Sequence, residues 1–232
     1  HKKGKADAKR GASFTKLCSA ITIAAREGGG DPDMNFSLRL AVEKAKQGNV
    51  PKDNIERAIK RGTGELKDAA EIQEALYEGY GPGGIAVIVE TMQDNTNITV
   101  AAVKHAFSKY GGSLAGQGAV KWQFERMGVI LFSTEKKATI EDWDTFELGL
   151  IDAGADDIRV SEDGVEIRCP MSNFKSVLDA VTAVGIDPEE SSLMWVAKEE
   201  VSPDESTAKK MATLFEKLDE LDDVKDVYTN EA

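Results

Sequence analysis

The chain reads as an α+β protein: an N-terminal three-helix domain followed by two ferredoxin-like α/β domains, one inserted in the other. Three observations predict this. As far as residue 67, apolar residues recur at helical spacing with no strand-like alternation. Beyond residue 75, short β-rich runs alternate with helical ones. Between residues 127 and 199 a βαββαβ pattern is complete in itself, which leaves a final helix and strand without partners unless they join the elements before residue 126. The expected domains are therefore 1–67, 75–126 with 200–232, and 127–199. Insertion is tolerated because the termini of compact domains commonly lie close together.

Each element follows from local chemistry. Phe14, Leu17, Cys18, Ile21, Ala24 and Ala25 share a helical face, and Gly28-Gly29-Gly30 ends that helix. A second helix starts near Asn35, buries Leu38, Ala41, Val42 and Ala45, and stops at Gly48. A third opens with Pro51 in its first turn, buries Ile55, Ala58 and Ile59, and stops at Gly62. Residues 65–78 are acidic and helix-compatible. Next come a strand over 85–92, a helix over 97–110, and a strand over 120–125 with Trp122 and Phe124 on one, core-facing side. The inserted unit offers a strand over 129–132, a helix over 140–153, a hairpin about Asp163-Gly164, a helix over 173–184 and a strand over 193–197. An amphipathic helix over 206–221 and a strand over 224–229 complete the chain.

Charge divides the molecule. The net charge is -12, and a pI near 4.8 argues at face value against a polyanionic partner. Up to Lys67, however, there are 15 Lys+Arg and 8 Asp+Glu; the rest holds 14 bases and 33 acids. A local excess of +7 against -19 implies either an anionic partner for the basic segment or neutralisation by the chain's own acids. Salt screens charges beyond about 10 Å at ordinary ionic strength, so a distant acidic domain does not cancel a basic surface.

Catalytic signatures are sparse. Gly79-Tyr80-Gly81-Pro82-Gly83-Gly84 matches a dinucleotide fingerprint in form, but it runs into a strand rather than opening a helix, so it reads as a tight turn. Only His1 and His105 supply imidazoles, and His105 falls mid-helix. Cys18 and Cys169 are far apart with no CxxC, which argues against a disulfide framework or structural zinc. Asp156, Asp157, Glu162 and Asp163 lack calcium-loop spacing and read as a solvated face. No apolar run approaches the roughly 18 residues that span a bilayer, and no export leader is visible. The expectation is a cytoplasmic, monomeric, non-enzymatic protein without cofactor, metal or membrane partner.

Several runs together resemble the YebC/PmpR family: residues 1–11, Ala24-Ala25-Arg26-Glu27-Gly28-Gly29-Gly30-Asp31-Pro32, the stretch 51–60 from Pro51 to Lys60, and Tyr77-Glu78-Gly79-Tyr80-Gly81-Pro82-Gly83-Gly84. The resemblance spans essentially the whole chain. It implies a regulator of gene expression, by family a DNA-binding transcriptional regulator, with a mitochondrial branch described as a translational activator of cytochrome c oxidase subunit I. Other members act on ribosomes, so ribosomal or messenger RNA is the alternative partner to promoter DNA. A protein-interaction adaptor that uses the acidic region is the third reading. Both nucleic-acid partners are polyanions, and the resemblance carries over most safely to Lys2, Lys3, Lys5, Lys9, Arg10, Lys16, Arg26, Arg39, Lys52, Arg57, Lys60 and Arg61 as phosphate contacts. Family members usually carry a Gly-His-Ser-Lys-Trp-containing stretch ahead of the position of His1. Thr96 and Ile98 stand where the family pattern has arginine, which weakens a phosphate contact from the middle domain.

Overall fold

The computed structural model describes residues 13–232 and divides the chain into two compact units. The first comprises the described residues up to Trp122 together with Glu199–Ala232; the second is Gln123–Lys198. Among the described residues there are eight α-helices and two four-stranded antiparallel sheets.

The first unit opens with three helices, α1 (Phe14–Gly28), α2 (Phe36–Gln47) and α3 (Lys52–Gly62). Ser13 caps α1 and Asn35 caps α2, each side chain accepting from the amide three residues on. Leu17, Ile21, Leu38, Val42, Ile55 and Ala58 form their core. Two polar details fix the packing. Thr22 Oγ1 donates to the Ala58 carbonyl at 3.0 Å, and a Cβ at Gly62 would meet the Thr22 carbonyl at 2.3 Å, so only glycine lets α3 approach α1 this closely. Asn35 explains the glycine run before it: its Nδ2 donates to the Ala24 and Gly29 carbonyls, both at 2.8 Å, and a Cβ at Gly28 would strike that side chain.

The sheet of this unit contains β1 (Gln73–Tyr80), β2 (Ala86–Gln93), β3 (Ser113–Ala115) and β8 (Val224–Thr229) in the order β3-β1-β2-β8. Helices α4 (Thr96–Lys109) and α8 (Glu205–Asp219) cover one face, with Val87, Val89, Val103, Phe107, Leu214 and Leu218 in one core. On the other side Met92 and Ile72 meet Ile23 of α1, so α1 is buried on two sides. The acidic stretch expected to be helix-compatible instead holds turns and then β1, whose residues pair along the whole of β2. The glycine motif is a turn, as its composition predicts. Gly81 N donates to the Ile85 carbonyl at 2.7 Å and Gly84 N to that of Gly81 at 3.1 Å, while Phe107 packs on Gly79 and Met211 on Gly81.

The second unit contains β4 (Phe124–Phe132), a short α5 (Thr134–Lys137), α6 (Trp143–Asp152), β5 (Asp157–Ser161), β6 (Gly164–Pro170), α7 (Phe174–Ala183) and β7 (Glu190–Ala197). Its strand order, β5-β6-β4-β7, is that of a βαββαβ ferredoxin-like unit. The two strands read from the sequence over 120–125 and 129–132 are corrected to the single strand β4. Gly128, which looks like a break, is instead a point of close approach, since a Cβ there would lie 2.7 Å from Phe174 and 2.8 Å from Cys169 Sγ. Buried Cys169 has its thiol pushed up to about 11 by desolvation and by the negative charge of Asp156, and burial raises Cys18 as well; neither cysteine is in a disulfide.

Candidate nucleic-acid interface

Lys2, Lys3, Lys5, Lys9 and Arg10 lie outside the described residues. The other seven candidates divide by what their side chains touch. Lys16, at the start of α1, is largely buried, donates to the Asp219 carbonyl at the end of α8, and lies 3.8 Å from the Asp219 carboxylate. Arg26, in the last turn of α1, donates to the Ile72 carbonyl and lies 3.4 Å from Glu71. Arg61, in the last turn of α3, donates through Nε and a terminal nitrogen to the Ala70 carbonyl and lies 3.7 Å from Asp94. All three tie the helices to the sheet part of the same unit.

Arg26, Arg61 and Lys67 also line a cleft of about 310 Å³ formed with residues 62–72. The guanidinium groups reach backbone carbonyls because residues 65–71 form no ladder of their own; those carbonyls need donors, and arginine has donors to spare.

Arg39, Lys52, Arg57 and Lys60 are exposed. Arg39 lies over the Phe36 ring at 5.6 Å, and Lys52 pairs loosely with Glu56 one turn on, at 3.6 Å. Arg57 and Lys60 are one turn apart on α3 and share a face. Lys44, Lys46 and Lys67 are exposed too, though the sequence reading did not single them out. Besides the three used for anchoring, the described helical segment thus presents seven exposed cations.

Glu78 went unassigned in the sequence although it sits in the glycine motif. It is 3% exposed, and its carboxylate accepts from the amides of Gly118 at 2.5 Å, Lys121 at 2.6 Å and Val120 at 3.0 Å. Burial pushes this carboxyl up, but the three amide hydrogen bonds, helped by the Lys121 charge, outweigh it and hold the group below its usual value. With those amides committed to Glu78, the chain there cannot enter a ladder. Lys121–Gln123 is a 3-10 turn, and Trp122, expected in the core beside Phe124, is 68% exposed while Phe124 is buried.

Among the described residues no group of three or more His, Cys, Asp or Glu could hold a metal ion, and His105 is exposed on α4. No described helix is long and apolar enough to cross a membrane.

Residues 1–65 match the model of the TACO1/YebC protein N-terminal domain, and residues 72–231 match that of the TACO1/YebC second and third domain. The chain belongs to the TACO1/YebC family. A relative from Maridesulfovibrio salexigens, named "Probable transcriptional regulatory protein", is 48% identical over 99% of this chain and 90% of its own length. One of the same name from Syntrophus aciditrophicus is 46% identical with the same coverage. A solved structure, that of a conserved hypothetical protein from Aquifex aeolicus, superposes with a TM-score of 0.84 at 39% identity, covering 97% of this chain and 91% of that one. The family names describe regulatory proteins, transcriptional in these relatives.

Proposed function

We propose that the protein is a non-enzymatic, cytoplasmic regulator of gene expression that grips the phosphate backbone of nucleic acid through its basic helical segment. The observation that carries this reading is the division of cations just described. Arg39, Lys52, Arg57 and Lys60 stay exposed where three other bases are spent on anchoring, and Lys2, Lys3, Lys5, Lys9 and Arg10 add to the same end of the chain. The names of the relatives favour promoter DNA as the target. A second reading, structured RNA on the ribosome, has its own support: α3 interleaves Asp53 and Glu56 with its bases, which disfavours sinking that helix into a groove walled by phosphates.

Affinity should fall with salt at a slope of about 0.7 to 0.9 per phosphate contacted. The combined variant Arg39→Ala, Lys52→Ala, Arg57→Ala, Lys60→Ala should flatten that slope and leave the melting temperature nearly unchanged, because exposed substitutions away from caps and cores cost little. A salt-independent interaction, or a slope untouched by the variant, overturns the reading. Promoter fragments and ribosomes, compared at matched salt, decide between the two targets.

A further inference from the structure

We propose that Tyr80 and Trp122 form a stacking platform for an unpaired nucleobase, an inference that rests on the nucleic-acid reading above. Trp122 is 68% exposed and Tyr80 37% exposed. Tyr80 Oη donates to the Ala119 carbonyl at a long 3.4 Å, and Trp122 Nε1 donates to the same oxygen at 3.1 Å. Their polar tips are therefore no more than about 6.5 Å apart, the two bonds laid end to end.

This pair is held, not merely exposed. Tyr80 is fixed in the sheet between Ala86 and Ser113, and the loop that carries Ala119 and Trp122 is pinned by the three amides that Glu78 accepts. An immobilised aromatic loses little conformational entropy when it binds a ligand.

The chemistry of the two rings selects the ligand. The indole has one donor and no acceptor, and that donor is satisfied by Ala119; the phenol's donor goes to the same atom. With both donors spent, what the pair mainly offers beyond the phenol oxygen's lone pairs is ring surface, which suits stacking with little readout of base edges, the sequence-tolerant mode by which single strands are held. Lys121, exposed and next in the chain to Trp122, brings positive charge to a ligand that carries phosphate. The platform should accordingly prefer single-stranded or unpaired segments, whatever their sequence.

The test uses the full chain with two single-stranded RNA oligonucleotides of equal length, one intact and one abasic. Stacking is worth about 1 to 3 kcal/mol per base, so Trp122→Ala should weaken the intact oligonucleotide by about tenfold with the salt slope unchanged, while Trp122→Phe keeps most of the affinity. On the abasic strand Trp122→Ala and the parent should bind alike. Equal losses on both strands, or no loss on the intact one, would overturn the platform. If the parent binds both strands with a salt slope and Trp122 is indifferent, the platform falls and the phosphate reading stands. If the parent binds neither strand at low salt, the platform falls, and the phosphate reading stands or falls on promoter fragments and ribosomes.

Discussion

The two units satisfy their charges differently. In the first, the charged groups that fix its shape donate to or accept from backbone, Lys16, Arg26 and Arg61 on carbonyls and Glu78 on three amides, with the Asp219, Glu71 and Asp94 carboxylates 3.4 to 3.8 Å from the three bases. In the second, most end on one another, as in Arg159 with Asp157 at 2.7 Å, Lys175 with Asp179 at 2.7 Å, and Arg168 with Glu166; Lys136 does both, lying 3.0 Å from Glu189 and donating to the Asp187 carbonyl. A charge that ends on backbone fixes a loop. A side-chain pair on the surface mostly neutralises itself. The second unit, with 7 Lys and Arg against 16 Asp and Glu, stays acidic after its pairs are formed, whereas the first gathers seven exposed cations on its helical segment.

Three perturbations sharpen this contrast. The largest effect is expected at Glu78. Glu78→Gln keeps the shape but turns a donor toward one of three amides, and should cost about 1.5 to 3 kcal/mol, read as a lower urea midpoint. Because folding lowers this carboxyl below its usual value, near 4.5, its contribution is fully present above that value and is lost as pH falls through the lower, folded one. Stability of the parent should therefore decline below about pH 4.5, and that decline should be shallower in the variant. Arg61→Met, which removes the donors to Ala70, should cost about 1 kcal/mol, seen as faster amide exchange over residues 64–72. Arg159→Ala, at the exposed pair of the second unit, should change stability by no more than about 1 kcal/mol. An Arg159 loss exceeding that at Glu78 would erase the contrast.

Much of the fold was legible because its signals are local. Asn35 and Gly48 cap the two ends of α2, Gly62 is the last residue of α3, and the strand 224–229 stands where its apolar pattern puts it. The misses are all long-range. Nothing around Trp122 says that its neighbours' amides are claimed by Glu78, some forty residues back. Gly128 falls in the gap between two strands read separately, and its place inside one strand shows only once Phe174 and Cys169 are seen against it. At the candidate interface the residue types were legible and their use was not: Lys16, Arg26 and Arg61 look like any other bases until the carbonyls they serve are known.

The chain leaves the first unit at Trp122 and returns at Glu199, and within the second unit Lys198 N donates to the Gln123 carbonyl at 2.9 Å. This pinch has a consequence for the order of assembly. The core beneath β2 draws on Leu214, Leu218, Val224 and Val227, so during synthesis one apolar face of that strand waits for residues made more than a hundred positions later. Bringing the tail home across an unstructured loop as long as the second unit would carry a closure cost of roughly 4 kcal/mol. A second unit that folds first, with its ends already hydrogen-bonded, removes most of that cost and acts as a staple that delivers the tail to its sheet.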